Sequence, residues 1–303
     1  MHEKMYSVES VSAFISVIER LKPELLRHPK TGERSASWNI WYRGHSNATW
    51  KLIPSMYRCE VHYLLERELL RDFKIRVSSE AAFNTRSEND WLFIAQHHGL
   101  PTRILDWTEN PLVALFFAVE DYKNGKDGKI YCIHPAVYNE VFALSAKNNV
   151  YKLAERNTLT TVPTSDSEFF SRYVIDLVSQ DVSREPSASL PMAFRPRSQF
   201  KRSISQSGVF TIHGRDHTAL DDEQAFSELN IFMASVPSDL KERVLRELFD
   251  VGISHGSLFG DPDSVAKSTR YRYSKSYLGV AMQMPISATT SPACSEQSAQ
   301  STS

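Results

Sequence analysis

QHHGLPTRILDWTENPLVALFFA, residues 96–118, is the stretch from which the rest of the chain is read. Upstream of it, residues 90–98 have helical spacing, with Asn89 as the cap and Gly99 as the stop, and Pro101 forbids continuation. Residues 102–107 then read as a strand. Asn110 followed by Pro111 is a helix start, an N-cap with a proline at the first helical position, and it opens a very apolar helix expected to run to Tyr122. A turn over 123–128 leads to another strand at 129–134. Helix, strand, helix, strand in such short order predicts an α+β fold: a mixed, split β-sheet with flanking helices in a single main domain.

Working outward, Val11, Phe14, Ile15, Ile18 and Leu21 recur at helical spacing after Ser7, so the chain opens with an amphipathic helix. Residues 38–43 read as an aromatic strand ending at Gly44, with 50–53 as its partner. Residues 61–77 read as one helix, with Leu65, Leu69 and Phe73 on its apolar face and Glu66, Arg67, Glu68 and Arg71 on its solvated face. Further on, 169–178 is helical, 181–191 a loop, and 208–213 and 229–236 are strands. A helix capped by Ser238 carries Leu240, Val244, Leu248 and Val251 and stops at Gly252. The expected division is an N-terminal helix and linker over 1–35, a main domain over 36–285 and a disordered tail over 286–303, rich in Ser, Thr, Ala and Gln.

Composition excludes several classes of function. The longest apolar run, 111–119, is about half of a membrane span, and residues 1–9 lack a signal-sequence pattern, so a cytoplasmic protein with no membrane partner is expected. Cys59, Cys132 and Cys294 form neither a disulfide framework nor a zinc knuckle. A net charge of −1 gives no global attraction to polyanions. There is no dinucleotide glycine fingerprint, P-loop, HExxH or nucleophile elbow; residues 44–48, GHSNA, lack the elbow's second glycine. No pattern sets an oligomeric state.

The chemistry concentrates in two places. Arg43, at the end of an aromatic strand and followed by Gly44, offers a rigid fork for phosphate or carboxylate, or else pairs with an acid of the fold. In residues 96–111, His97 and His98 serve either as acid, base or hydrogen-bonding groups, or as imidazoles favoured by a helix C-terminus. Adjacent helical residues diverge by about 100°, so the two do not converge on a metal, and no metal site is expected. Arg103 and Asp106, three apart on a strand, face opposite sides and need separate partners. Asp106 either organises the 107–110 turn or takes part in chemistry. Two basic runs interleave with aromatics. Arg195, Arg197, Lys201 and Arg202 surround Phe194 and Phe200, while Lys267, Arg270, Arg272 and Lys275 alternate with Tyr271 and Tyr273, a pattern suited to nucleic acid.

Tyr42-Arg43-Gly44, LIPSMYR at 52–58, the 96–118 block and QSGVFTIH at 206–213 resemble the FRG domain family, with Tyr42 in place of the first residue of the Phe-Arg-Gly motif. The resemblance extends over about residues 38–259. The order of elements is also similar, more distantly, to the ADP-ribosyltransferase fold. There an aromatic-Arg-Gly strand binds NAD, a Ser/Thr strand leads into a helix with a buried Phe, and a later strand supplies Glu-x-Glu. Arg43 matches the first element, and Thr108 before the 111–118 helix the second. Gln206-Ser207-Gly208 stands where the glutamates would be, so an equivalent group must come from His97, His98 or Asp106. The resemblance implies a nucleotide-like ligand, with NAD as cofactor or substrate, held by Tyr42, Arg43, Gly44, Arg103, Trp107, Thr108 and Gln206. Tyr42 or Trp107 would stack on the ligand, and the activity would be ADP-ribosyl transfer or NAD cleavage. The alternative is a non-catalytic module that binds nucleic acid or a protein through the basic runs.

Overall fold

The computed structural model describes residues 6–29, 31–35, 37, 39–77, 89–143, 162–178, 188–197, 205–222 and 231–274. The elements are β1 (Tyr6–Ser7), α1 (Val11–Leu25), β2 (Trp41–His45), α2 (Glu60–Leu64), α3 (Glu66–Val77), α4 (Asp90–His97), β3 (Ile104–Thr108), α5 (Pro111–Val119), β4 (Gly128–Ile133), α6 (Pro135–Ala143), α7 (Glu168–Val178), β5 (Met192–Phe194), β6 (Gly208–Ile212), β7 (Phe232–Val236), α8 (Lys241–Asp250), α9 (His255–Phe259) and α10 (Pro262–Arg272).

The strands form a seven-stranded mixed sheet in the order β1-β7-β4-β2-β3-β6-β5. β1 runs parallel to β7, and the other neighbours are antiparallel. The fold is α+β as expected, and the sheet is nearly split. β2 pairs with β4 along its whole length and β3 pairs with β6 likewise, whereas β2 and β3 meet only at Tyr42 and Thr108. The two half-sheets diverge from that point.

Registered residues share a face. One face carries Tyr42, Ile130, Cys132 and Ala234, and α1, α5 and α8 cover it with Phe14, Leu21, Ala114, Ala118, Val244 and Leu248. The same face of the other half-sheet carries Ile104, Phe210, Ile212 and Met192, covered by Phe93 and Ile94 of α4 and Phe170 and Val174 of α7. The opposite face, with Trp41, Leu105, Trp107 and Tyr131, packs against Leu52, Tyr138, Leu190 and Leu220. The split thus separates two helical layers on one side of the sheet.

α5 begins as its sequence predicts: the Asn110 side chain accepts from the Leu112 amide at 3.0 Å, and Pro111 follows. It ends at Val119, and a 3-10 turn over Tyr122–Asn124 replaces the expected continuation. The helix lies very close to the sheet. A Cβ on Gly44 would sit 1.9 Å from the Ala114 carbonyl oxygen, and one on Gly128 2.3 Å from that of Ala118. Gly44 is therefore required by helix packing.

Several local expectations are corrected. The opening helix is capped by Ser10, whose hydroxyl accepts from the Ala13 amide at 3.1 Å; Ser7 belongs to β1. Residues 50–53 form no strand, and β2 finds its partners in β4 and β3. The 61–77 helix breaks at Leu65, which is exposed, and Glu66 and Leu70 become the buried residues of α3. The cause is tertiary. Glu66 turns inward onto Arg103, and an ion pair in the core outweighs the helical stripe. Asn89 is the N-cap residue of α4 as expected, but its side chain makes no capping bond; its amide donates to the Ser165 carbonyl at 3.1 Å. Ser238 does not cap α8, whose first helical residue follows Leu240. The tail at 286–303 and most of the 181–191 loop lie outside the described residues. Among the described residues no helix is long and apolar enough to cross a membrane.

Candidate functional site

A cavity of about 230 Å³ lies over the β2/β3 split, between the two helical layers. Tyr42, Arg43, Gly44, Asp106, Trp107 and Thr108 make its floor. Val113 and Phe117 of α5 form one wall and Phe93, Gln96 and His97 of α4 the other, with Pro196, Gln206, Gly208 and Phe210 at the β6 end. Its volume is below the roughly 300–1,000 Å³ typical of pockets for drug-sized ligands, which suits one ring and a sugar.

Arg43 is the central group. Alternation assigns it to the face of Trp41 and His45, but its guanidinium turns into the gap between the diverging strands. Nε donates to His45 Nε2 at 3.0 Å and Nη1 to the Asp106 carbonyl at 2.5 Å. The Asp106 main chain pairs with β6 on one side and has lost β2 on the other, and Arg43 supplies the missing donor. Nη2 has no hydrogen-bond partner among the described residues. Burial pushes the guanidinium down to about 10, against the opposing pull of Asp106, so it remains cationic at neutral pH. The His45 imidazole is pushed down to about 2, first by burial and then by Arg43 and Arg58, with Lys129 adding to them. The neutral His45 tautomer that carries its proton on Nδ1 accepts from Arg43 at Nε2.

Across the gap, the exposed Asp106 carboxylate faces the helical layer. Its Oδ2 accepts from Gln96 Nε2 at 2.8 Å, and Gln96 in turn accepts from the Thr102 hydroxyl. This chain fixes the carboxylate against α4, beside His97. Thr108 ties three segments together: its hydroxyl donates to the Gln206 carbonyl at 2.5 Å and accepts from the Asn110 amide at 3.0 Å. Ser207 adopts φ 48°, a conformation that costs about 1 kcal/mol or more for a residue other than glycine. The residue sits at the cavity between Gln206 and β6, where such strain is often stored.

Of the residues expected at the site, Tyr42, Arg43, Gly44, His97, Asp106, Trp107, Thr108 and Gln206 come together around this cavity. Two do not. His98 is exposed beyond the end of α4, its ring 6.2 Å from that of Phe73. Arg103 is buried just ahead of β3, away from the cavity, against α3 and α7. It donates to Glu66 at 2.6–3.0 Å, to Asp176 at 2.9–3.2 Å and to the Tyr173 carbonyl at 2.5 Å. Burial opposes its charge, and Glu66, Tyr57 and Asp176 outweigh that, holding the guanidinium well above its ordinary value. The separate partners anticipated for Arg103 and Asp106 are these two sets. Trp107 and Tyr42 reach the cavity only marginally. Trp107 is 3% exposed, with its indole N–H donating to Thr211, and Tyr42 is packed beneath α5.

Phe93, Phe117, Pro196 and Phe210 complete the walls and escaped the sequence reading. α5 is apolar on every side, so no periodicity singles out Phe117. Of the basic runs, Arg195 is paired with Glu109 and Arg197 lies 3.7 Å from Asp166. Lys201, Arg202 and Lys275 lie outside the described residues. Among the described residues, no group of three or more His, Cys, Asp or Glu side chains is placed to hold a metal.

No curated protein and no solved structure matches the chain. A family model does match, over the segment that holds β2, α4, β3, α5 and the turn into β4, while the 206–213 segment falls beyond its end. Residues 38–127 of this chain match the model of the FRG domain.

Proposed function

We propose that the β2/β3 cavity binds a nucleotide-like ligand, its ring and ribose between α4 and α5 and its phosphate on Arg43. Its catalytic form is cleavage or transfer at the N-glycosidic bond of NAD. The observation that carries this reading is the pairing of a fixed cation and a fixed carboxylate across one small, half-apolar cavity: Arg43 on the β2 side, Asp106 on the β3 side. In such a reaction the bond from the ribose anomeric carbon to the pyridinium nitrogen breaks, its electron pair leaves with neutral nicotinamide, and an oxocarbenium ion develops. In this reading Asp106 stabilises that charge, in place of the glutamates absent at 206–208. Water or an acceptor hydroxyl then bonds to the anomeric carbon and releases a proton, and His97 is the proposed base that takes it.

Quantifying nicotinamide released from NAD by purified protein tests this reading. Turnover that falls by about 10²-fold in Asp106→Asn, with NAD affinity retained, supports it. Absence of turnover in folded wild type, or equal turnover in Asp106→Asn, rejects the catalytic form. The non-catalytic nucleic-acid reading draws less support from the first basic run, where Arg195 and Arg197 stand against acidic side chains.

A further inference from the structure

A second cavity, of about 190 Å³, opens on the other side of α5, among α5, α8, α9 and α10. Its interior is apolar, built by Leu245 and by Phe116, Phe249 and Tyr271, whose rings offer edges and faces to a flat guest. Lys267 and Arg270, three apart on α10, stand on one turn at its rim. Neither has an acidic partner among the described residues, unlike Arg195, Arg172 and Arg243, each of which is paired. His255 borders the cavity as well, its ring edge-on to Phe116 with centroids 5.0 Å apart and its Nε2 3.9 Å from Glu120.

An apolar slot with unpaired cations along one rim matches a guest with an aromatic body and an anionic end. A flat hydrocarbon gains from leaving water, and a carboxylate gains charge-assisted hydrogen bonds at the rim. We infer that this cavity is a second ligand site for a compact aromatic carboxylate, with Lys267 and Arg270 holding the anion.

α9 borders this cavity and also touches the lining of the first. The Leu258 carbonyl accepts from the Ser205 hydroxyl at 2.6 Å and from Gln206 Nε2 at 3.4 Å, and Gln206 lines the first cavity. Phe259 meets Phe117, also of that cavity, edge to face at 6.2 Å. A guest against His255 at the start of this five-residue helix therefore bears on both Gln206 and Phe117 from behind.

The test is calorimetric titration of the full chain with 2-naphthoate and with its uncharged analogue 2-naphthylmethanol. Wild type is expected to bind one naphthoate, about tenfold more tightly than the alcohol. Lys267→Met/Arg270→Met, with an unchanged melting transition, should bind both equally, whereas Arg43→Gln should leave the naphthoate preference intact. Failure of either compound to bind, absence of a preference for the anion, or a preference that survives in the double variant overturns the assignment. So does a preference that disappears in Arg43→Gln, which would move the binding to the first cavity.

Discussion

The Arg43 guanidinium hydrogen-bonds the main-chain carbonyl of Asp106, bridging the β2/β3 split where the two strands have ceased to pair. One arginine thus closes a gap in the sheet and presents its remaining nitrogen to the cavity. The atoms that bridge the sheet and the proposed ligand-binding atom belong to the same group, and the two roles can be separated by experiment.

Arg43→Gln removes the donors to Asp106 and His45. Loss of those hydrogen bonds is expected to cost about 1–2 kcal/mol in urea denaturation, with the fold retained. Arg43→Lys keeps the charge without the fork, and should recover less than half of that loss. A loss of stability equal to that of Glu66→Gln would assign Arg43 to the core alone.

Glu66→Gln leaves Arg103 buried with a weakened partner set. Both side chains of the pair are 4% exposed. Removing one charge of such a pair typically costs about 3–5 kcal/mol, with Asp176 tempering the loss here. The denaturation midpoint of the variant measures it; a change under about 1 kcal/mol would mean that the ion pair contributes little.

Gly44→Ala places a methyl 1.9 Å from the Ala114 carbonyl oxygen, and α5 has no way to yield without disturbing the Gly128 contact as well. Overpacking of this kind costs about 1–3 kcal/mol or more. The variant is expected to melt well below wild type, and a thermal transition within a degree of wild type would refute the close packing of α5.

Stability should fall in acid. Burial pushes the His213 imidazole down to about 3, and neither ring nitrogen has a hydrogen-bond partner among the described residues. An unfolded histidine titrates near 6.5. The unfolded state therefore binds more protons below that pH, and the contribution of a neutral His213 is complete above about 6.5 and shrinks as pH falls toward 3. His45, pushed down to about 2, acts in the same direction. His213→Phe should flatten the pH dependence of unfolding between 6 and 4, by on the order of 1 kcal/mol per pH unit. An unaltered slope would mean that His213 finds a proton acceptor on protonation.

Much of the site was legible in the sequence, because a polar group spaced among apolar ones on a short strand has few places to go. Arg43, Asp106, Thr108 and Gln206 converge as read, and Asn110 with Pro111 fixes the start of α5. What escaped depends on contacts distant along the chain. Glu66 reads as solvated on a helical wheel and is buried only because Arg103, 37 residues on, lies beneath it. Met192–Phe194 is too short to alternate visibly and becomes a strand because β6 offers an edge. Gly44 reads as a place where a ligand or a backbone approaches closely, and only the structure shows that the α5 backbone is what does so.

The most direct test of the central claim is calorimetric titration of folded wild type and folded Arg43→Gln with NAD, ADP-ribose and AMP at low and high salt. Saturable binding of at least one of these at a single site is expected, weakened about tenfold or more in Arg43→Gln and only modestly by salt. Equal affinity in both proteins, or no binding by wild type, would contradict it.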